Sequence, residues 1–234
     1  MNRLLKFSLL SVAIGFFTFQ LQAQSSKLGL VVFKKGNVTL IRSDKSSTLK
    51  VKDLIQEKDE VRTGPDGEVS LQLSSGVMIK LTANSAIVIE GILRDENGAT
   101  VALKLNNGTV LGKADKSKDK KIDLTVNSPT AIASVRGTEL IVDANNDEST
   151  VLVNEGVVNV ANNSNSVGVD VEPGQKIVSN GEELMTGIMD AFEKQRFAIM
   201  DQFEKERNKT FEVIVEQIRR NQELMEQQHQ KMGQ

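Results

Sequence analysis

The chain has 234 residues, of which 39% are hydrophobic and 26% charged, with 17 glycines, enough apolar material for one ordinary domain or two small ones. Its 29 basic and 31 acidic residues leave a net charge of -2, which argues against a general nucleic-acid binder. There is no Cys, Trp or Tyr and only one His, which removes disulfides and thiolate chemistry and leaves carboxylates, Lys and hydroxyls for any reaction at neutral pH.

The N-terminus reads as an export signal. Arg3 and Lys6 give a basic start, Phe7 to Phe19 carries no charge, and Ala23 is a small residue before an expected cleavage point. The apolar stretch falls short of the roughly 20 residues that a membrane helix needs. Residues 1–24 are therefore expected to be a signal peptide, removed on export to the periplasm or the cell surface. Without Arg3 and Lys6 the remaining 27 basic and 31 acidic residues carry about -4, so the mature chain is expected to be mildly acidic, with no transmembrane span.

Residues 27–180 read as strands. Val69, Leu71 and Leu73 alternate with polar residues, as do Val77, Ile79 and Leu81, and then Val101, Leu103 and Leu105. This period of two places the apolar side chains on one face of a sheet. Turn signals recur at Lys35-Gly36-Asn37, Gly64-Pro65-Asp66-Gly67, Glu96-Asn97-Gly98, Glu155-Gly156 and Pro173-Gly174. Three segments, around Gly76, Gly108 and Gly156, share one plan of strand, glycine corner and strand, at unequal spacings of 32 and 48 residues. Asn107-Gly108 suits a tight hairpin or a corner between stacked solenoid strands, and the sequence leaves both open. The run Lys113 to Lys121 and the segment Asp143 to Ser149 read as exposed polar connections.

Residues 182–232 read as one long amphipathic helix. Glycine and proline vanish between Gly187 and Gly233, and Asn180 with Glu183 has the spacing of a helix cap. Met185, Met189, Phe192, Ile199, Phe203, Phe211, Ile214, Ile218, Met225 and Met232 fall at intervals built from threes and fours, one stripe along a helix face. About 50 residues would reach roughly 75 Å, and such a stripe must pack on something to be stable. Another copy in a coiled coil, the chain's own β-domain and a different protein are all open as partners. The helix is read as an element for oligomerisation or docking, with Phe192, Ile199, Phe203, Phe211, Ile214 and Ile218 as its contact stripe.

No phosphate loop, dinucleotide fingerprint or zinc-protease motif is present. His229 stands among glutamines with no second base nearby in sequence. Asp143, Asn145 and Asp147 match half of a calcium loop, but Glu148 replaces its glycine and Asn154 its final Glu, so a polar turn is the better reading. No catalytic residue, metal or cofactor is expected, and the chain reads as a non-enzyme.

The segment Ser128-Pro129-Thr130-Ala131-Ile132-Ala133-Ser134-Val135-Arg136-Gly137-Thr138-Glu139-Leu140 resembles the signature of FecR-family domains, the ferric-citrate regulator type. Val61-Arg62-Thr63-Gly64, Gly67-Glu68, the strand after Gly76, Val151 to Val160 and Pro173-Gly174-Gln175 agree with it over roughly residues 30–180. The resemblance implies a mainly β, solenoid-like or antiparallel extracytoplasmic domain without catalysis, followed here by the long α-helix. Pro129, Arg136, Gly137, Thr138 and Glu139 are its motif residues. Gly137 would allow a sharp corner, and an Arg136–Glu139 pair would pin it, a structural role favoured over ligand binding. The family's regulators also carry an anti-sigma segment, a membrane helix and a further C-terminal domain; here a signal peptide is expected in place of the first two and the long helix in place of the last. The expected role is a protein-interaction or scaffold module of the cell envelope. The alternatives are a structural subunit of an envelope filament or coat, and a soluble accessory of a membrane signalling or iron-uptake regulator.

Overall fold

A computed structural model describes residues 28–73, 75–94, 98–114, 121–136 and 139–198, together with Asp201 and Arg220. The described chain is mainly β. Its first strands are β1 (Leu28–Lys35), β2 (Val38–Arg42), β3 (Lys45–Thr48), β4 (Leu54–Gln56), β5 (Glu60–Thr63) and β6 (Glu68–Leu73). There follow β7 (Val77–Leu81), β8 (Ala86–Arg94), β9 (Gly98–Ala114), β10 (Lys121–Asn127), β11 (Ala131–Arg136) and β12 (Glu139–Ala144). The last are β13 (Ser149–Glu155), β14 (Val158–Asn162), β15 (Asn165–Val171), β16 (Gln175–Ser179) and β17 (Leu184–Ile188). The three alternating stretches seen in the sequence are β6, β7 and the first part of β9.

The strands form two layers. Layer A runs β4-β1-β6-β7-β9-β12-β13-β16-β17. Layer B runs β3-β2-β5-β8-β9-β10-β11-β14-β15. Strand β9 belongs to both: its first part pairs with β8 and β10, its last with β7 and β12. Apolar residues of the two layers form one buried cluster, including Val69, Leu71 and Ile79 of layer A and Leu103, Leu124 and Val126 of layer B. The fold is not a closed barrel.

Glycine 108 makes the change of layer within β9 possible. It has a φ of +90°, and a Cβ there would lie 2.4 Å from Ser85 Oγ and 2.5 Å from Ser85 Cα. Only a residue without a side chain fits that backbone and that space. Of the two readings of Asn107-Gly108, the hairpin is therefore replaced by a corner between layers. Gly156 also sits at a change of layer, from β13 to β14, whereas Gly76 turns the hairpin from β6 to β7. Three similar-looking segments thus do two different jobs. A solenoid is not supported: apart from β9 with β10, the pairings among the described residues are antiparallel.

The expected helix start at 182 is corrected. Residues 184–188 are strand β17, paired antiparallel with β16, so the β-structure continues past residue 180. Asn180 does not cap a helix; its Oδ1 accepts the N–H groups of Glu182 and Glu183 at 3.0 and 2.8 Å and turns the chain into β17. The capping chemistry appears ten residues later. Asp190 Oδ1 accepts the Glu193 N–H at 2.8 Å, and the Asp190 N–H donates to Glu193 Oε2 at 2.8 Å, a reciprocal capping box. Helix α1 (191–198) follows, with helical backbone again at Asp201 and Arg220. The rest of the expected long helix and coiled coil, including Ile199, Phe203, Phe211, Ile214 and Ile218, lies outside the described residues, as do the expected signal peptide and His229. No helix among the described residues is long and apolar enough to cross a membrane.

Candidate interaction surface

The motif that resembles the FecR signature begins with buried hydroxyls. Ser128 Oγ donates to the Ala131 carbonyl at 2.8 Å and accepts the Ala131 N–H at 3.0 Å. Ser149 Oγ lies 2.8 Å from Ser128 Oγ and 2.7 Å from Thr130 Oγ1, and Ser179 Oγ donates to the Thr130 carbonyl at 2.7 Å. This network ties the turn before β11 to β13 and β16. It supplies partners for side chains that would otherwise be buried and unsatisfied. Pro129 is exposed, and its carbonyl accepts Asn163 Nδ2 at 2.6 Å.

Strand β11 alternates cleanly, with Ala131, Ala133 and Val135 buried. It belongs to layer B and β12 to layer A, so the chain changes layers between Arg136 and Glu139. Arg136 pairs through its backbone with Asp123. Its side chain, and residues Gly137 and Thr138 entirely, lie outside the described residues.

Glu139 is buried. Asn154 Nδ2 donates to its Oε2 at 2.6 Å, and Lys113 Nζ stands 3.6 Å from its Oε1. That Oε1 has no hydrogen-bond partner among the described residues. Burial pushes the carboxyl pKa up, against the opposing pull of Asn154 and Lys113, while Asp201 and Glu155 add to the rise. The register explains the meeting: Glu139 and Lys113 are direct cross-strand partners on β12 and β9.

Two neighbouring rows of layer A complete the surface. Leu111, Ile141, Leu152 and Lys176 are successive cross-strand partners on β9, β12, β13 and β16. Beyond them, Thr109 and Asp143 face each other, with Thr109 Oγ1 donating to Asp143 Oδ1 at 2.6 Å. Leu111, Ile141 and Leu152 form a small apolar cluster separate from the main core, closed by Met189 and Phe197 of the C-terminal segment.

Three charge pairs surround this contact. Lys176 Nζ donates to Glu193 Oε1 at 2.6 Å. Arg196 grips Asp143 with both Nη atoms, at 2.6 and 2.7 Å. Lys113 Nζ donates to Asp201 Oδ1 at 2.9 Å. The bidentate bond to Asp143 raises the Arg196 pKa above its ordinary value, and the bond to Glu193 does the same for Lys176. Lys113 therefore connects Glu139 of the motif with Asp201 of the C-terminal segment.

The expected stripe is divided by the structure. Met189 is buried, whereas Met185 lies on β17 and is half exposed. Phe192 is 72% exposed and Ile188 70%, apolar surface left in water beside the point where β17 passes into the helix. Phe197, absent from the expected stripe, is the buried aromatic. Sequence reasoning also did not find the contacts of Lys113, Asn154, Asp143 and Arg196, whose partners are distant in the chain. The half-calcium loop has other duties: Asp143 holds Arg196 and Thr109, and Asn145 Oδ1 accepts the N–H groups of Asp147 and Glu148, both at 2.8 Å.

Residues 59–159 match the family described as FecR protein. Over that stretch the chain is similar to FecR-family domains. The match runs from just before β5 into β14 and contains the whole motif from Ser128 to Leu140. Of the layer A residues described above as facing the helix, all but Lys176 fall within the match; the helix falls outside it. The expected extent of the resemblance, roughly 30–180, is wider than the match. Two solved structures from Parabacteroides distasonis ATCC 8503, each described as a "putative anti-sigma factor", are similar at 16% and 17% identity, with TM-scores of 0.47 and 0.46. Each alignment covers 56% of this chain, which spans about 60% of the length of those structures. No curated protein matched the chain.

Proposed function

We propose that this chain is an exported, non-enzymatic FecR-domain protein that works as a protein-interaction or scaffold module in the cell envelope, with its C-terminal segment as the docking or self-association element. The observation that carries this reading is the seat of that segment on the outer face of the FecR domain, through Met189, Phe197 and three charge pairs. Contact chemistry of this kind, an apolar centre with a charged rim, is that of a recognition surface. The exposed Phe192 and Ile188 beside it supply aromatic and aliphatic anchors of the kind that dominate binding energies. The basic start at Arg3 and Lys6, followed by the uncharged apolar stretch Phe7 to Phe19, supports export. The single His and absent Cys support a role without catalysis.

The test is capture of the tagged full chain from fractionated cells, beside a version ending at Ile188, which keeps every described strand. The reading expects the protein in the envelope fraction, and a defined partner or a second copy that the shortened version loses. A cytoplasmic protein, or a full chain that captures nothing beyond a mock control, overturns it.

A further inference from the structure

The helix and its seat carry complementary alternating charge. Along the helix Glu193, Arg196 and Asp201 read acid, base, acid; beneath them Lys176, Asp143 and Lys113 read base, acid, base. The intervals of three and five residues differ, so the pattern fits in one direction only. The apolar part is small, Phe197 of the helix and Met189 just before it against three side chains of layer A, and stands apart from the main core. The helix can therefore leave without opening the domain. Its leaving point is defined by Met189, whose N–H donates to the Gly174 carbonyl at 2.9 Å, and by the capping box that starts at Asp190.

We propose that the outer face of layer A is a helix receptor shared between copies of this chain. The helix beginning at Asp190 seats on the domain of a second copy, which returns its own helix, giving a reciprocal two-fold dimer. A second copy satisfies all three charge pairs and the apolar seat without any new chemistry. The tethered helix competes at an effective concentration in the millimolar range, so exchange also needs surface that the closed monomer leaves uncovered. Ile188 and Phe192, 70% and 72% exposed, flank the leaving point and provide it. The proposal rests on the reading of the C-terminal segment as an assembly element and names its partner.

The test is a charge swap in the purified full chain. Asp143→Arg and Arg196→Asp each place like charges together within one chain and within a homodimer. Mixed one to one, they restore two matched pairs, but only between chains. The expected result is a species of twice the monomer mass in native mass spectrometry, containing one of each variant and scarce in either alone. The double variant in a single chain should behave as wild type. Because the chain has no cysteine, Asp143→Cys mixed with Arg196→Cys gives a second readout, a mixed disulfide formed in preference to either homodimer. It also serves if a charge variant fails to fold. Folded variants that stay monomeric when mixed, with no preference for the mixed disulfide, overturn the exchange. If the wild-type helix still captures a different protein, the interaction-module reading stands without it; if it captures none, both fall.

Discussion

Arg196 and Asp143, 53 residues apart in the chain, are joined by two hydrogen bonds of 2.6 and 2.7 Å that fix the helix on the outer face of layer A. Thr109 holds the same carboxylate from below, so the acceptor is oriented before the arginine arrives. The side chains are 25% and 31% exposed, which leaves the pair partly screened. A double-mutant cycle of Arg196→Ala and Asp143→Ala, read by hydrogen exchange of the helix amides, should give a coupling of about 1 kcal/mol that shrinks in high salt. A coupling indistinguishable from zero at low salt would remove the pair from the account of docking.

Phe197 is the larger of the two side chains that close the small outer cluster, and it is 2% exposed. Phe197→Ala should cost about 3 kcal/mol of docking, following the usual loss for a buried phenylalanine. Because this cluster is separate from the main core, the loss should appear as local opening. Amide protection in residues 191–198 is expected to fall to that of an isolated peptide while β6, β9 and β12 keep theirs. Strands that lose protection together with the helix would show that the two cores unfold as one.

Asp59, at the first position of the FecR match, is fully buried and held by Arg42 through two hydrogen bonds of 2.7 and 2.6 Å, and by the Gln56 N–H at 2.8 Å. Arg42→Ala leaves that carboxylate buried without its counter-charge. The arginine itself is 38% exposed, so the loss should fall below the usual range for a broken buried pair, at about 2 kcal/mol. In a domain of this size that is a fall in Tm of roughly 4–8 °C. Arg42→Lys should recover less than half of it, because an ammonium cannot make the paired contact. A lysine variant as stable as the wild type would mean that charge alone matters.

Glu139 links stability to pH. Burial raises its carboxyl pKa in the folded state above the ordinary value of 4.5. Across the window between those two values the folded chain holds more protons than the unfolded one, so stability falls as pH rises through it. Glu139→Gln removes the titrating group and keeps an oxygen for Asn154. Denaturant unfolding from pH 4 to 7 should show a downward slope for the wild type that flattens in the variant. An unchanged slope would mean that other groups set the pH dependence.

Much of the β-structure was legible because alternation of period two survives wherever one face of a strand is buried, as in Val69, Leu71 and Leu73. Whether Gly76, Gly108 and Gly156 made hairpins or corners was not, because both use a glycine between alternating strands. The helix start was misplaced because Asn180 with Glu183 and Asp190 with Glu193 have the same spacing, and the first is spent on a turn. Leu184 to Ile188 is too short to show a period, and its pairing with β16 decides its conformation. The motif resembling the FecR signature was visible as a local run of residues. The neighbours of its Glu139 were not, because Lys113 and Asn154 are delivered by register across β9, β12 and β13, which no local window contains. Phe197 fell outside the expected stripe because the stripe was drawn through Phe192, which the structure leaves in water.

The central claim, that the chain's C-terminal segment is a contact element in the cell, is tested most directly by photo-crosslinking in living cells. A photoreactive residue in place of Phe192 should yield a discrete adduct with a second copy or one defined envelope protein. The same residue in place of the exposed Ser46 on β3 should yield none. No adduct at Phe192, or the same diffuse set at both positions, would contradict the account.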